Sequence, residues 1–229
     1  MTTISANLQA VIARIASAAR QYGRDPRQIS LLAVSKTWPA ACIREAAAAG
    51  QLAFGENYVQ EGSEKIVALQ DLGLEWHFIG PLQSNKTRAV AEHFSWVHSL
   101  ERLKIAERLA EQRPERLAPL SVCLQVNVSG ETSKSGVSLP AAPALARAIA
   151  ALPRLRLRGL MAIPAATDDF AAQRSAFRCL RLLYEQLRAD GIALDTLSMG
   201  MSHDLEAAIA EGATLVRVGT AIFGERDTP

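Results

Sequence analysis

No stretch of this chain approaches the roughly 18 apolar residues that a membrane-spanning helix needs. No basic segment followed by an apolar core opens it either, so the sequence reads as that of a soluble, cytoplasmic protein. Cysteine is scarce: Cys42, Cys123 and Cys179 stand far apart in apolar or helical contexts, and an odd count suits a reducing compartment. His-Glu-x-x-His and paired-cysteine spacings are missing, which argues against a metal site. Neither sign of charge dominates. With 25 basic and 23 acidic residues the formal net charge is +2, too weak a field to suggest nucleic acid. The glycine-flanked stretch 130–136 reads as a mobile loop but lacks the Gly-Lys-Ser/Thr order of a phosphate-binding P-loop. Lysine is the last scarcity. Only Lys36, Lys65, Lys86, Lys104 and Lys134 occur, so each can be weighed singly.

What is present is a repeating pattern. At 229 residues, 49% hydrophobic and 21% charged, the chain is globular and long enough for one large core. Ile4, Leu8, Val11, Ile12 and Ile15 recur at helical spacing, so an amphipathic helix opens the chain and ends near Gly23. Eight short apolar runs then alternate with helical patterns. They are 30–35, 52–54, 75–80, 94–97, 120–128, 155–163, 195–199 and 215–218. Pro39 suits the first turn of one helix, Gly50 its stop, and Ser99, Ser138 and Ser202 are candidate openers of three others. This alternation predicts a (β/α)8 TIM barrel as a single domain over 1–229, with an extra N-terminal helix. An open doubly wound sheet is the rival. It normally carries a glycine fingerprint after its first strand, where this chain has Ser35-Lys36-Thr37-Trp38.

A barrel keeps its functional residues at the C-terminal ends of its strands. Here those positions are Lys36, Asn57, His77, His98, Asn127, Met161, Ser198 and Arg217. Lys36 is either a surface lysine or a reactive amine, and residue type alone does not choose. Ser198-Met199-Gly200-Met201-Ser202 and Gly219-Thr220 each lead into a helix start, the usual place for a phosphate in a barrel. Two ordinary helix starts would look the same. A phosphate seat on strands seven and eight, opposite a lysine on strand one, resembles a pyridoxal 5′-phosphate (PLP) site, with an aldolase-type Schiff-base lysine as the chemical alternative. His77 is a hydrogen-bonded core or pocket residue before it is a base; His98 is expected at a strand end and His93 at the surface.

Several segments carry a closer resemblance. They are Leu32-Ala33-Val34-Ser35-Lys36-Thr37, Phe54-Gly55-Glu56-Asn57-Tyr58, the run from His77 to Lys86, Val126-Asn127-Val128-Ser129, Lys134-Ser135-Gly136 and Arg158-Gly159-Leu160-Met161. The series closes with Leu197-Ser198-Met199-Gly200-Met201-Ser202 and the run from Val216 to Gly224. Through them the whole chain resembles the pyridoxal phosphate homeostasis protein family, single-domain relatives of the alanine-racemase barrel (PLP fold type III). The resemblance implies a PLP-binding protein of intracellular PLP and amino-acid homeostasis, without an established turnover. A PLP-dependent, racemase-like enzyme of small amino acids is the alternative, and a barrel that has lost its cofactor is a third reading.

By the same resemblance Lys36 would form the Schiff base, Ser198, Ser202, Gly219 and Thr220 would seat the phosphate, and Asn57 and Met161 would line the ring pocket. Arg217 would touch the cofactor at either the ring nitrogen or the phosphate. The expected partners are PLP and, for delivery, PLP-dependent apoenzymes; the expected state is a monomer. Many relatives carry a second basic residue two positions after the Schiff-base lysine, where this chain has Trp38. Racemisation is expected to be poor, since it needs acid–base groups on two faces. In the related racemases the second is a tyrosine from the partner subunit, beside a further β-domain that this chain is expected to lack, and Tyr58 is the one realistic substitute here.

Overall fold

The computed structural model describes residues 3–131 and 134–225. Its first strand, β1 (Ser30–Val34), shows how the barrel is built: Leu32 and Ala33 are fully buried and point to opposite faces, as the two-residue period of a strand requires. Seven more parallel strands complete the ring: β2 (Ala53–Glu56), β3 (Glu75–Phe78), β4 (Trp96–Leu100), β5 (Leu120–Asn127), β7 (Leu155–Met161), β8 (Thr196–Ser198) and β9 (Leu215–Val218). They run in the order β4-β3-β2-β1-β9-β8-β7-β5, and β5 returns to β4 through Trp96↔Ser121 and Val97↔Val122, which closes the barrel. The open-sheet rival is thereby excluded. The short β6 (Val137–Ser138) is an addition that the sequence pattern did not foretell; it pairs with β5 outside the ring.

The two faces of the ring differ in chemistry. Phe54, Phe78, Val97, Leu124, Leu160, Leu197 and Val216 belong to the large apolar core that includes the buried faces of the surrounding helices. Each such side chain, fully buried, contributes on the order of 1.5–3 kcal/mol. A separate small cluster holds Trp96, Cys123 and Met161, and the buried polar set includes His77, His98, Ser198 and Arg217. The walls close tightly where glycine allows it. A Cβ at Gly159 would stand 1.7 Å from the Thr196 carbonyl oxygen, so β7 and β8 could not keep their spacing with any other residue there.

The N-terminal helix α1 (Ile4–Gln21) is capped by Thr3, whose hydroxyl accepts from the Ala6 N–H at 3.2 Å. It buries Leu8, Val11 and Ile15, while Ile12, expected on the same stripe, is 42% exposed. α1 packs on α2 (Ala40–Ala48), α8 (Leu205–Ala210) and α9 (Thr220–Phe223). Asn7 donates to the Ile222 carbonyl at 3.0 Å and Arg14 to the Ser202 carbonyl at 2.9 Å, so this helix holds the loop that follows β8 and the short helix α9 that follows β9.

Some helix starts differ from expectation. Ser99 lies inside β4, where its hydroxyl donates to the Gly80 carbonyl at 2.5 Å, and α5 (Leu103–Gln112) begins after Arg102. Ser138 belongs to β6, and α6 (Ala142–Ala150) starts beyond it. Asp204, not Ser202, occupies the N-cap position of α8. Thr132 and Ser133 of the 130–136 loop lie outside the described residues. Around them, Asn127 Nδ2 donates to the carbonyls of Glu131 at 2.7 Å and Lys134 at 3.2 Å.

Candidate functional site

β1 delivers Lys36 to the C-terminal mouth of the barrel, and a buried ionic network fixes where it leaves the strand. Ser35 is fully buried and its hydroxyl donates to Glu56 Oε1 at 2.6 Å. Lys65, from α3 (Val59–Ala68), donates to the Ser35 carbonyl at 2.8 Å, to Glu56 Oε1 at 2.8 Å and to Glu61 Oε1 at 2.6 Å. Glu61 also accepts from the Thr37 N–H at 2.5 Å, and Thr37 sits at a left-handed φ of 67°. For a β-branched residue that conformation costs on the order of 1–2 kcal/mol. The chain therefore turns sharply at Lys36, which is left half-buried beside a cavity.

That cavity, about 250 Å³, brings together Lys36, Asn57, Ser202, Arg217, Gly219 and Thr220, six of the eight residues expected from sequence. Val34, Ile79, Ile163, Met201 and His203 complete its wall. Arg217 is buried, and its Nη1 donates to the Ser198 carbonyl and the Ser198 hydroxyl, both at 2.7 Å, while Nη2 donates to the Ala162 carbonyl at 3.0 Å. Among the described residues no carboxylate pairs with it directly, and burial lowers its pKa to about 10, with Asp204 acting the other way at longer range. The guanidinium stays cationic at neutral pH. Among the described residues the backbone N–H groups of Ser202 and His203 have no acceptor, and both belong to the loop that Arg14 restrains.

The structure does not bring the other two expected residues to the wall. Ser198 lies beneath it, fully buried, with its hydroxyl between Arg217 and His98 Nδ1 at 2.7 Å each. Met161 packs inside the barrel with Trp96 and Cys123. His98 is likewise interior and fully buried, not at a strand end, while His93 is exposed as expected.

Asn57 stands at a junction. It lines both this cavity and a second one of about 260 Å³, which carries Ser99, Glu101, Arg102, Gln125 and Lys134. Its Oδ1 is buried and unpaired among the described residues. A buried amide oxygen without a donor costs on the order of 1–3 kcal/mol, so it is a place for a ligand or water to donate. Gly80 lets the β2 and β3 loops meet there, since a Cβ would fall 2.1 Å from the Asn57 carbonyl oxygen.

Sequence reasoning passed over the Glu56–Lys65 pair. The sequence pattern ends this strand at 54, whereas β2 runs on to Glu56, and a glutamate inside a buried strand must find a cation or become neutral. Burial raises the Glu56 pKa against the lowering effect of Lys65 and Ser35. Trp38 also has a role: it stacks on Phe223 of α9 with ring centroids 5.9 Å apart, tying the loop after Lys36 to the helix that begins at Thr220.

Residues 6–227 match the family model for the alanine racemase N-terminal domain. A pyridoxal phosphate homeostasis protein of Pseudomonas aeruginosa is 64% identical over 227 residues, which cover 99% of this chain and 97% of that one. The chain belongs to the pyridoxal phosphate homeostasis protein family. An Escherichia coli member is 56% identical, with 99% of this chain and 98% of that one covered. The solved structure of PipY from Synechococcus elongatus with PLP bound superposes with a TM-score of 0.80 at 41% identity, covering 92% of this chain and 100% of that one. Alanine racemase from Corynebacterium glutamicum has the same fold, with a TM-score of 0.71 at 19% identity, and this chain covers 62% of it.

Proposed function

We propose that this protein binds PLP in the Lys36–Arg217 cavity and serves intracellular PLP homeostasis by holding the cofactor. The observation that carries the reading is the convergence of Lys36, Arg217, Ser202, Gly219 and Thr220 on one cavity of about 250 Å³. The residues present fit the group. A primary amine, a buried cation, two hydroxyls and unpaired backbone N–H groups are the donor set that an aldehyde-bearing phosphate monoester calls for. When bound, PLP supplies an aldehyde that condenses reversibly with a primary amine.

The protein's own contribution is placement. Lys36 offers the amine and is the single lysine of this cavity among the described residues. Ser202 and Thr220 hold the phosphate end at the rim, with Gly219 keeping β9 close to β1. A Cβ at Gly219 would lie 3.1 Å from the Val34 carbonyl oxygen. Arg217, sunk in the barrel and committed to Ser198 and Ala162, is assigned to the ring end. A guanidinium has no lone pair for a proton, so it leaves the ring nitrogen unprotonated and the ring a weaker electron sink. That favours holding over turnover. Asn57 Oδ1, buried and unpaired among the described residues, is ready to accept from a ring substituent.

The rim is open enough for release, since Ile163 is 40% and Met201 37% exposed. Delivery to PLP-dependent apoenzymes by a cytoplasmic monomer is part of the same proposal. No described helix is long and apolar enough to cross a membrane. Titration of the purified protein with PLP and with pyridoxal tests the reading. PLP should bind stoichiometrically with a new visible absorption band, and pyridoxal should bind far more weakly. Equal affinity for both would remove the phosphate seat, and no visible band with PLP would remove the function.

A further inference from the structure

A hydrogen-bonded chain crosses the barrel interior from the Arg217 cavity to the opposite, N-terminal mouth. Arg217 Nη1 lies 2.7 Å from Ser198 Oγ, which lies 2.7 Å from His98 Nδ1. His98 Nε2 lies 2.8 Å from His77 Nδ1, and His77 Nε2 lies 2.7 Å from Glu75 Oε1. Arg217, Ser198, His98 and His77 are all buried, whereas the Glu75 side chain is 52% exposed. Glu75 and His77 line a cavity of about 430 Å³ at the strands' N-terminal ends, together with Trp96, Arg158 and Asp195.

With both imidazoles neutral the donor order is fixed. The Glu75 carboxylate only accepts, which puts the His77 hydrogen on Nε2 and leaves its Nδ1 to accept from His98 Nε2. The bare His98 Nδ1 then takes the Ser198 proton, and Ser198 accepts from Arg217. His98 then carries its hydrogen on Nε2 and donates to His77 Nδ1. His77 carries its hydrogen on Nε2 and donates to the Glu75 carboxylate. All four bonds point from the cation to the anion. One added proton at His77 reverses the middle: His77 donates to His98, His98 donates to Ser198, and Ser198 accepts from both sides. The two arrangements present different charge and dipole to Arg217.

We propose that Glu75, His77, His98 and Ser198 form a relay that positions Arg217 and carries changes of charge at the lower mouth to the ring end of the cofactor cavity. Glu75 is then a positioning residue on the far side of the barrel, and its effect on PLP rests on the cofactor reading above. Burial holds both histidines below their ordinary pKa, with Glu75 opposing this at His77 and Arg217 adding to it at His98. The other groups facing the chain are few. Trp96 stacks on His77 at 5.2 Å, and Arg158 lies 4.7 Å from the Trp96 ring and pairs with Asp195 at 2.7 Å. Cys123 and Asp204 act on Arg217.

The test uses the full chain with Glu75→Gln, which keeps an acceptor but no charge, Glu75→Leu, which keeps neither, and Gln28→Ala. Gln28 lines the same lower cavity outside the relay. Nitrogen-15 histidine spectra of the cofactor-free protein at neutral pH should show His77 and His98 neutral, both with hydrogen on Nε2. In Ser198→Ala, His98 should keep its hydrogen on Nε2, because His77 Nδ1 still needs a donor, whereas in Glu75→Leu both histidine signals should become mixtures of tautomers. PLP affinity should fall about five-fold or more in Glu75→Leu, less in Glu75→Gln, with a shifted visible band, at an unchanged melting temperature. Gln28→Ala should match wild type. Hydrogen on His98 Nδ1 in the wild type would overturn the donor order. Unchanged PLP affinity and spectrum in both Glu75 variants would overturn the coupling. If the wild type takes up no PLP, the cofactor reading fails and the coupling with it, and the histidine spectra still decide the relay.

Discussion

Lys65 Nζ lies 2.8 Å from the carbonyl oxygen of Ser35, the residue just before Lys36, and 2.8 Å from Glu56 Oε1. The amine that meets the cofactor in this account is thus set in place by a second lysine that never reaches the cavity. Charge burial makes the pair costly to break. Lys65→Met leaves Glu56, fully buried, without its cation, and should destabilise the protein by about 3–5 kcal/mol. Lys65→Met with Glu56→Leu should recover most of that loss. PLP affinity should stay reduced in the double variant, because the Ser35 carbonyl has lost its donor. Denaturant melts and PLP titrations of the two variants check this; full recovery of affinity would show that the pair does not place Lys36.

Ser198 and Thr220 should behave differently when PLP and pyridoxal are compared. Thr220 lines the cavity rim, so Thr220→Ala should weaken PLP by about 10- to 100-fold, the worth of a hydroxyl contact to a charged group, and barely touch pyridoxal. Ser198 reaches the cavity only through Arg217, so Ser198→Ala should weaken both ligands alike. Selective loss of PLP in Ser198→Ala would return that hydroxyl to the phosphate.

Acid should unfold the protein early. His77 and His98 have folded pKa values below the unfolded value of about 6.5, so below that pH the unfolded chain binds more protons and stability falls as pH falls. Two such groups give a slope of up to about 2.7 kcal/mol per pH unit in that window. Glu56 and Asp204, both raised by burial, work the other way, each from the ordinary carboxyl range upward. Denaturant unfolding between pH 7.5 and 5.5 reads the slope. Stability that is flat or rising on acidification would contradict two neutral interior histidines.

The barrel could be read from sequence because its signals are local. Alternating apolar runs gave the eight strands, and Lys36, Arg217 and Thr220 lie where the rule of C-terminal strand ends puts them. Side-chain partnerships across the ring could not be read. Glu75 and His98 are 23 positions apart and meet only through His77, because β3 and β4 are neighbours with His77 in register with Trp96. Ser198 was expected to touch the phosphate because the sequence shows which strand end a residue occupies, not whether it points to the rim or into the barrel. The Ser99 and Ser202 caps failed similarly: each is a plausible opener by type, but Ser99 is held inside β4 by the Gly80 carbonyl.

Racemase turnover should be absent. Tyr58, the one tyrosine expected near the site, is 58% exposed and does not line the Lys36 cavity, while the buried Tyr184 hydroxyl donates to the Leu194 carbonyl at 3.1 Å. Incubation of L-alanine with catalytic holoprotein in D₂O should show slow, one-sided exchange at Cα and no build-up of D-alanine. Turnover at about 1 s⁻¹ or faster, lost in Tyr58→Phe, would show that this tyrosine is a second base and that the protein is an enzyme.

The most direct measurement is the site of covalent trapping. PLP-loaded protein is reduced with borohydride, digested, and the modified peptide sequenced by mass spectrometry. One modified lysine, Lys36, is expected, together with loss of both the modification and the visible band in Lys36→Ala at unchanged far-ultraviolet circular dichroism. Attachment at Lys65, Lys86 or Lys134 with Lys36 unmodified would contradict it.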